Sequence, residues 1–279
     1  MRKSCPNLRP SPAPSTPAPE TNGIPVGRAL STRSCILFCN AARVPRRLAL
    51  ALCCLTALTL APQAAASASD AVVRCAAHGT ARGTLLLLPA GGFVVTTSPD
   101  YRRAQCGSFT RAGFDVVALA YPINDYAAAL RFTIDQATRA RRAGRPVMIY
   151  GESAGATLAE MLTVRGVVPA AVAVAGISDL TNWREDKQPY WDAIKLPTLL
   201  DRRGASPLHR IGPHPGRLLL LHSLDDESVP FEQSARLAQR LPSASLGVLS
   251  GPHLADGSAT SRAVTWFRTT AATIRRGHR

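Results

Sequence analysis

The sequence predicts an α/β protein built on a doubly wound, mostly parallel sheet. Three observations carry this. From residue 70 onward, short apolar runs alternate with segments of helical pattern. The runs are nearly all apolar and lack the polar alternation of a half-exposed strand, as expected of strands buried on both faces. At 46% hydrophobic and 18% charged residues, the chain has ample material for such a core, which excludes wholesale disorder.

In chain order, residues 1–42 are rich in Pro, Ser and Arg and sustain no period, so they are expected to be a disordered extension. Residues 43–68 read as a signal peptide. Arg43, Arg46 and Arg47 precede an uncharged run from Leu48 to Ala61, and small residues follow from Ala64 to Ser69. The run is shorter than the roughly 20 residues needed to span a bilayer, so no stable membrane span is expected in the mature form. Cleavage after Ala66 or Ala68 would release a secreted or periplasmic protein. Residues 69–279 are then one domain, since no internal repeat divides them.

Six strands are expected in that domain: Thr84–Leu88, Phe114–Ala120, Pro146–Tyr150, Ala170–Val174, Leu218–Leu221 and Ser245–Leu249. Helices are expected over Asp125–Ala143, with Asn124 or Asp125 as N-cap and Gly144 just beyond, over Pro230–Arg240, with proline in the first turn, and over about Ser261–Ile274. Residues 178–215 contain Trp183, Tyr190 and Trp191 but no clean period. They read as a short insert over a site, with aromatics that either touch substrate or anchor the insert to the core.

The formal charge of +15 divides into +7 over residues 1–66, from eight Arg/Lys against one Glu, and +8 over the remainder. The basic residues of the remainder are scattered, so the expected surface is a solvated face with no nucleic-acid groove. Of the seven cysteines, five (5, 35, 39, 53, 54) lie in the segment expected to be removed. Cys75 and Cys106 remain as a possible disulfide, which an oxidising compartment would favour, and their spacing argues against a structural zinc site.

The sharpest local signal is Gly151-Glu152-Ser153-Ala154-Gly155, a G-x-S-x-G between a strand and a helix. A turn tight enough to expose a serine hydroxyl requires strained angles and close chain approach, both of which glycine tolerates. The helix N-terminus after the serine adds unpaired N–H groups and partial positive charge, suited to a developing oxyanion. A serine nucleophile needs a base, expected after an acid in this chain order. His78, His209 and His214 precede the candidate acids, His222 ends a strand and His278 lies in the tail. This leaves His253, in the loop after the last strand. The candidate acids are Asp225, Asp226 and Glu227, consecutive after Leu218–Leu221.

Together these residues resemble the α/β-hydrolase family, in particular its compact esterase and lipase-like branch, over roughly residues 80–275. In that family an acid followed by Val-Pro is common after the penultimate strand, and Asp226-Glu227-Ser228-Val229-Pro230 is similar to it. The resemblance therefore selects Asp226 as the acid. Leu88-Pro89-Ala90-Gly91-Gly92-Phe93 resembles the family's His-Gly-Gly-Gly loop, with Pro89 in place of His and Ala90 in place of the first Gly. By this resemblance Gly91, Gly92 and Ala154 supply the oxyanion-hole N–H groups.

The expectation is a cofactor-free serine hydrolase acting on a small-molecule ester through an acyl-enzyme. A serine peptidase on the same fold is the alternative, and a non-catalytic binding protein is a third reading, disfavoured because nucleophile, base, acid and oxyanion glycines are all present.

Overall fold

The computed structural model describes residues 71–183 and 187–277, so the expected extension at 1–42 and signal peptide at 43–68 lie outside the described residues. Seven strands form one sheet: β1 (Val72–Cys75), β2 (Thr84–Leu88), β3 (Asp115–Leu119), β4 (Val147–Glu152), β5 (Ala170–Val174), β6 (Arg217–Ser223) and β7 (Ala244–Leu249). Their spatial order is β1-β3-β2-β4-β5-β6-β7, with β1 antiparallel to β3 and every other pair parallel.

Alternate side chains of each strand enter one of two cores. Leu86, Leu88, Val117, Leu119, Ile149, Ala171 and Leu220 face one side, and Leu85, Leu87, Val116, Ala118, Met148, Val172 and Leu221 face the other. The first side is covered by helices α2 (Tyr126–Arg141), α3 (Ala154–Val164) and α6 (Glu232–Arg240), through residues such as Ala129, Leu158, Leu162 and Leu237. The second is covered by α1 (Pro99–Arg111) and α7 (Ser258–Gly277), through Phe109, Ala263 and Phe267. Because both faces of the central strands β2 to β6 are largely covered, their pattern is mostly continuous apolar.

Outside the insert, two elements have no counterpart among those expected from the sequence. β1 is a four-residue edge strand with only Val73 fully buried, too short to show a period. α1 did carry a signal: Ser98 caps it, its hydroxyl accepting from Tyr101 N at 3.2 Å, with Pro99 in the first turn. A disulfide between Cys75 and Cys106 joins these two elements, with Cα atoms 6.3 Å apart.

Boundaries shift where local chemistry competes. Asp125 is the N-cap of α2, its carboxylate accepting from Ala128 N at 2.8 Å. Pro230 lies outside α6, its carbonyl accepting from Gln233 N at 3.0 Å, so that helix begins at Glu232 and not at the proline. The C-terminal helix is longer than expected, spanning Ser258–Gly277. Within the aperiodic insert, two short helices form, α4 (Gln188–Ala193) and α5 (Leu199–Ala205), the latter started by a reciprocal Thr198–Asp201 capping box.

The connection from β2 turns to β3 on one side, and the chain then crosses back to place β4 on the other side of β2. At such a switch point the loops after the two adjacent strands diverge and open a crevice at the strands' carboxyl ends. The loops in question are Pro89–Gly92 after β2 and the Ser153 turn after β4.

Candidate functional site

Strand β4 runs two residues further than the sequence pattern indicated, with Gly151 and Glu152 still paired to Ala173 and Val174 of β5. Ser153 follows at φ 50°, ψ −116°, a conformation that non-glycine residues occupy only when their surroundings impose it. Here the surroundings do: Ser153 N–H donates to Val174 O at 2.8 Å, and α3 begins at the next residue. The two motif glycines are explained by approach. A Cβ on Gly151 would overlap the carbonyl of Gly155, and a Cβ on Gly155 would overlap the carbonyl of Leu88 at the end of β2. The Ser153 side chain makes no capping bond to α3, which leaves its hydroxyl to other partners.

That hydroxyl lies 3.1 Å from His253 Nε2, and His253 Nδ1 lies 2.7 Å from Asp226 Oδ2. Three residues separated by up to a hundred positions are thus brought into one hydrogen-bonded line. A carboxylate only accepts, so the geometry requires the proton on Nδ1 and leaves the Nε2 lone pair toward the serine hydroxyl.

The Asp226 side chain is almost wholly buried. Its Oδ1 accepts from Ser228 N at 3.0 Å and Val229 N at 2.9 Å, so a turn of its own loop holds it. Asp225 and Glu227 are both exposed. The His253 loop is tied down as well: the Ser223 hydroxyl donates to Gly251 O, and the Asp256 carboxylate accepts from Ser250 N at 2.9 Å and Ser258 N at 2.7 Å.

A second histidine stands behind Asp226. His222 is fully buried, with Nε2 2.9 Å from Val229 O and 3.4 Å from Asp226 Oδ2, and Nδ1 2.7 Å from Ser234 Oγ. Burial pushes its pKa below the ordinary histidine value, and because the Val229 carbonyl can only accept, the bond at Nε2 is donated by the ring. Its position at the end of a strand gave no sign of this contact, which exists only because the loop from Leu224 to Val229 folds back over it.

Gly91 and Gly92 both adopt positive φ, 146° and 57°, and a Cβ on Gly91 would overlap the Val95 carbonyl. Their loop is clamped from several sides. Tyr121 OH donates to Pro89 O at 2.8 Å, Val94 N–H and Val95 N–H both donate to Gly91 O, and Phe93 is buried against the rings of Tyr121 and Tyr126. Ala154 is the first residue of α3, whose N–H has no partner within the helix.

Glu152, next to the serine, is held by Tyr150 OH at 3.0 Å and Gln105 Nε2 at 3.4 Å, and burial raises its pKa. Deeper in α3, the fully buried Glu160 accepts from Ser178 Oγ at 2.9 Å with one oxygen, while the other, Oε1, faces Gly176 without a hydrogen-bond partner. Burial pushes its pKa up to about 8 from an ordinary value of 4.5. Between these pH values the unfolded chain has released a proton that the folded chain still holds, so stability falls as pH rises through this window and is flat below it. Glu160→Gln removes the dependence. The stability gap in favour of the variant is expected to open from pH 5 to pH 8, to at most about 4 kcal/mol. Denaturant titrations of both proteins at several pH values check this, and parallel curves would rule it out.

Residues 119–250 match the model of the prolyl oligopeptidase family. No curated protein matches the chain by sequence. Among solved structures, a thermophilic esterase from the planctomycete Thermogutta terrifontis, with butyrate bound, superposes with a TM-score of 0.61 at 17% identity, covering 73% of this chain and 88% of that one. An acetyl ester-xyloside bifunctional hydrolase from Caldicellulosiruptor lactoaceticus gives 0.60 at 17%, covering 71% and 87%. A truncated carbohydrate esterase from gut microbiota gives 0.56 at 16%, covering 69% and 87%. At such identities the likeness establishes the fold. The mostly parallel sheet with its flanking helices has the α/β-hydrolase fold of these structures.

Proposed function

We propose that the protein cleaves carboxylic esters through an acyl-enzyme, with Ser153 as nucleophile, His253 as general base and then general acid, and Asp226 orienting the imidazole. The observation that carries this is the unbroken line from Ser153 Oγ to His253 Nε2 at 3.1 Å and from His253 Nδ1 to Asp226 Oδ2 at 2.7 Å. As the hydroxyl attacks the ester carbonyl, His253 Nε2 takes its proton, and Asp226 stabilises the resulting imidazolium. The same proton then passes to the departing alkoxide, leaving the acyl group on Ser153. Water, deprotonated by the same nitrogen, releases the acid and restores the serine. Negative charge on the carbonyl oxygen is met by N–H groups of Gly91, Gly92 and Ala154 at the switch-point crevice.

The Thermogutta terrifontis esterase is described phosphonylated by sarin and with butyrate bound, which supports this chemistry and short acyl groups in a protein of the same fold. Peptide cleavage is the second reading, favoured by the match of residues 119–250 to the prolyl oligopeptidase family. A secreted or periplasmic location belongs to the same proposal, supported by the basic, apolar and small-residue pattern from Arg43 to Ser69.

The test is a p-nitrophenyl ester series from acetate to palmitate beside peptide p-nitroanilides. Turnover is expected to be highest on short to medium acyl chains, because the helices among the described residues of the cap insert are short, too small for a large lid over a broad apolar mouth. Faster cleavage of a peptide anilide than of any ester would favour the peptidase reading.

A further inference from the structure

The cap insert reaches both loops of the proposed site. Trp183 Nε1–H donates to Ser228 O at 3.0 Å, in the turn that holds Asp226, and Tyr190 OH donates to Gly92 O at 3.0 Å, in the loop after β2. Between them the three rings of Trp183, Tyr190 and Trp191 stack edge to face at 5.1 to 5.8 Å, with Trp191 fully buried and the Arg202 guanidinium 5.0 Å above its ring. The aromatic cluster is therefore a brace spanning from the acid's loop to the glycine loop.

We infer that Tyr190 is a positioning residue for the oxyanion loop, an inference that rests on the proposed function. The reason lies in the peptide planes. A peptide's C=O and the following N–H lie in one plane and point in opposite directions. Val94 and Val95 hold the Gly91 carbonyl, and with it the direction of the Gly92 N–H. The next plane, Gly92 C=O with Phe93 N–H, is held by the Tyr190 hydroxyl. Both planes flanking the Gly92 Cα are thus fixed from outside.

This matters because Gly92, at φ 57° and with only Val94 Cγ2 within 4 Å of where a Cβ would stand, has no side chain of its own to restrict rotation. Without the Tyr190 bond, the Gly92–Phe93 plane loses its hydrogen bond and is held only through the packing of Phe93 and the bond from Asn124 N–H to Phe93 O. An oxyanion hole works because its donors are aimed before the charge develops, so loosening the loop lowers kcat and leaves ground-state binding nearly as it was.

The test is Tyr190→Phe, which keeps the ring packing on Trp183 and Trp191 and removes only the hydroxyl. On p-nitrophenyl butyrate, kcat is expected to fall about 10- to 30-fold with KM changed less than twofold. The second readout is the preference for this ester over its O-thionoester analogue, whose longer C=S and weaker acceptor fit an oxyanion hole poorly. That preference should shrink by a similar factor. Because it compares two substrates on the same active molecules, it does not depend on how much of the variant folds. An unchanged preference, or a fall in kcat matched by loss of folded protein, overturns the inference. Ser153→Ala run in parallel separates the two levels. Full turnover in that variant overturns the proposed function and this inference with it, whereas loss there with an unchanged preference in Tyr190→Phe overturns this inference alone.

Discussion

Ser153→Ala is expected to lose fluorophosphonate labelling altogether and to lower kcat on p-nitrophenyl butyrate by about 10⁵- to 10⁶-fold, at near-native stability. The size follows from the relay. His253 Nε2 has the Ser153 hydroxyl as its proton donor at 3.1 Å, and without an attacking oxygen the base has nothing to activate except water. What survives is the contribution of the oxyanion donors and of substrate binding, typically about 10³–10⁴ over the uncatalysed rate. Stability should be spared because the serine side chain caps nothing, and alanine at φ 50° meets the same backbone constraint as serine. Thermal melting beside the kinetics checks both halves. Labelling of the variant at the wild-type rate would move the nucleophile to another serine.

Asp226→Asn should reduce kcat at least a hundredfold, and Asp225→Asn less than tenfold. An asparagine at 226 has one acceptor and one NH₂ group. Its oxygen must stay where Oδ1 is, because two backbone N–H groups, of Ser228 and Val229, point there. The NH₂ group then faces His253 Nδ1 in place of the carboxylate oxygen now 2.7 Å away. The imidazole can face it only with a bare Nδ1, which puts its proton on Nε2, where the serine hydroxyl needs an acceptor. In a serine protease the same tautomer error lowers kcat by about 10⁴. Asp225 is exposed, and only its backbone N–H takes part in the local turn, donating to Ser223 Oγ at 3.1 Å, so its carboxylate has no comparable role. Steady-state kinetics of the two variants test the assignment, and the reverse ordering would transfer the acid to Asp225.

Much of this arrangement was legible in the residues. Six of the seven strands were visible because burial on both faces requires continuous apolar runs, and the switch from β4 to α3 was visible because only glycines fit beside the Leu88 carbonyl. The four-residue β1 was not, since its place is set by pairing with β3 and not by its own pattern. The insert at 178–215 had no period because its helices are only six and seven residues long and its aromatics pack on one another. Of the two roles left open for those aromatics, the structure shows anchoring, with hydrogen bonds that also reach the loops of the site.

By itself the sequence pointed to the sheet, its helical cover, a serine at the strand-to-helix turn, His253 as a base and three consecutive candidate acids, because these follow from burial, turn geometry and the order in which such groups occur along a chain, while the choice of Asp226 among the three came from the family resemblance. Only the tertiary structure decided that the Asp226 carboxylate is held by its own turn against the imidazole, that His222 stands behind it, and that Tyr121 and Tyr190 hold the glycine loop. Those contacts link residues up to 98 positions apart, and no local pattern encodes them. They arise when parallel strands align their carboxyl ends and bring loops of unrelated sequence to one crevice.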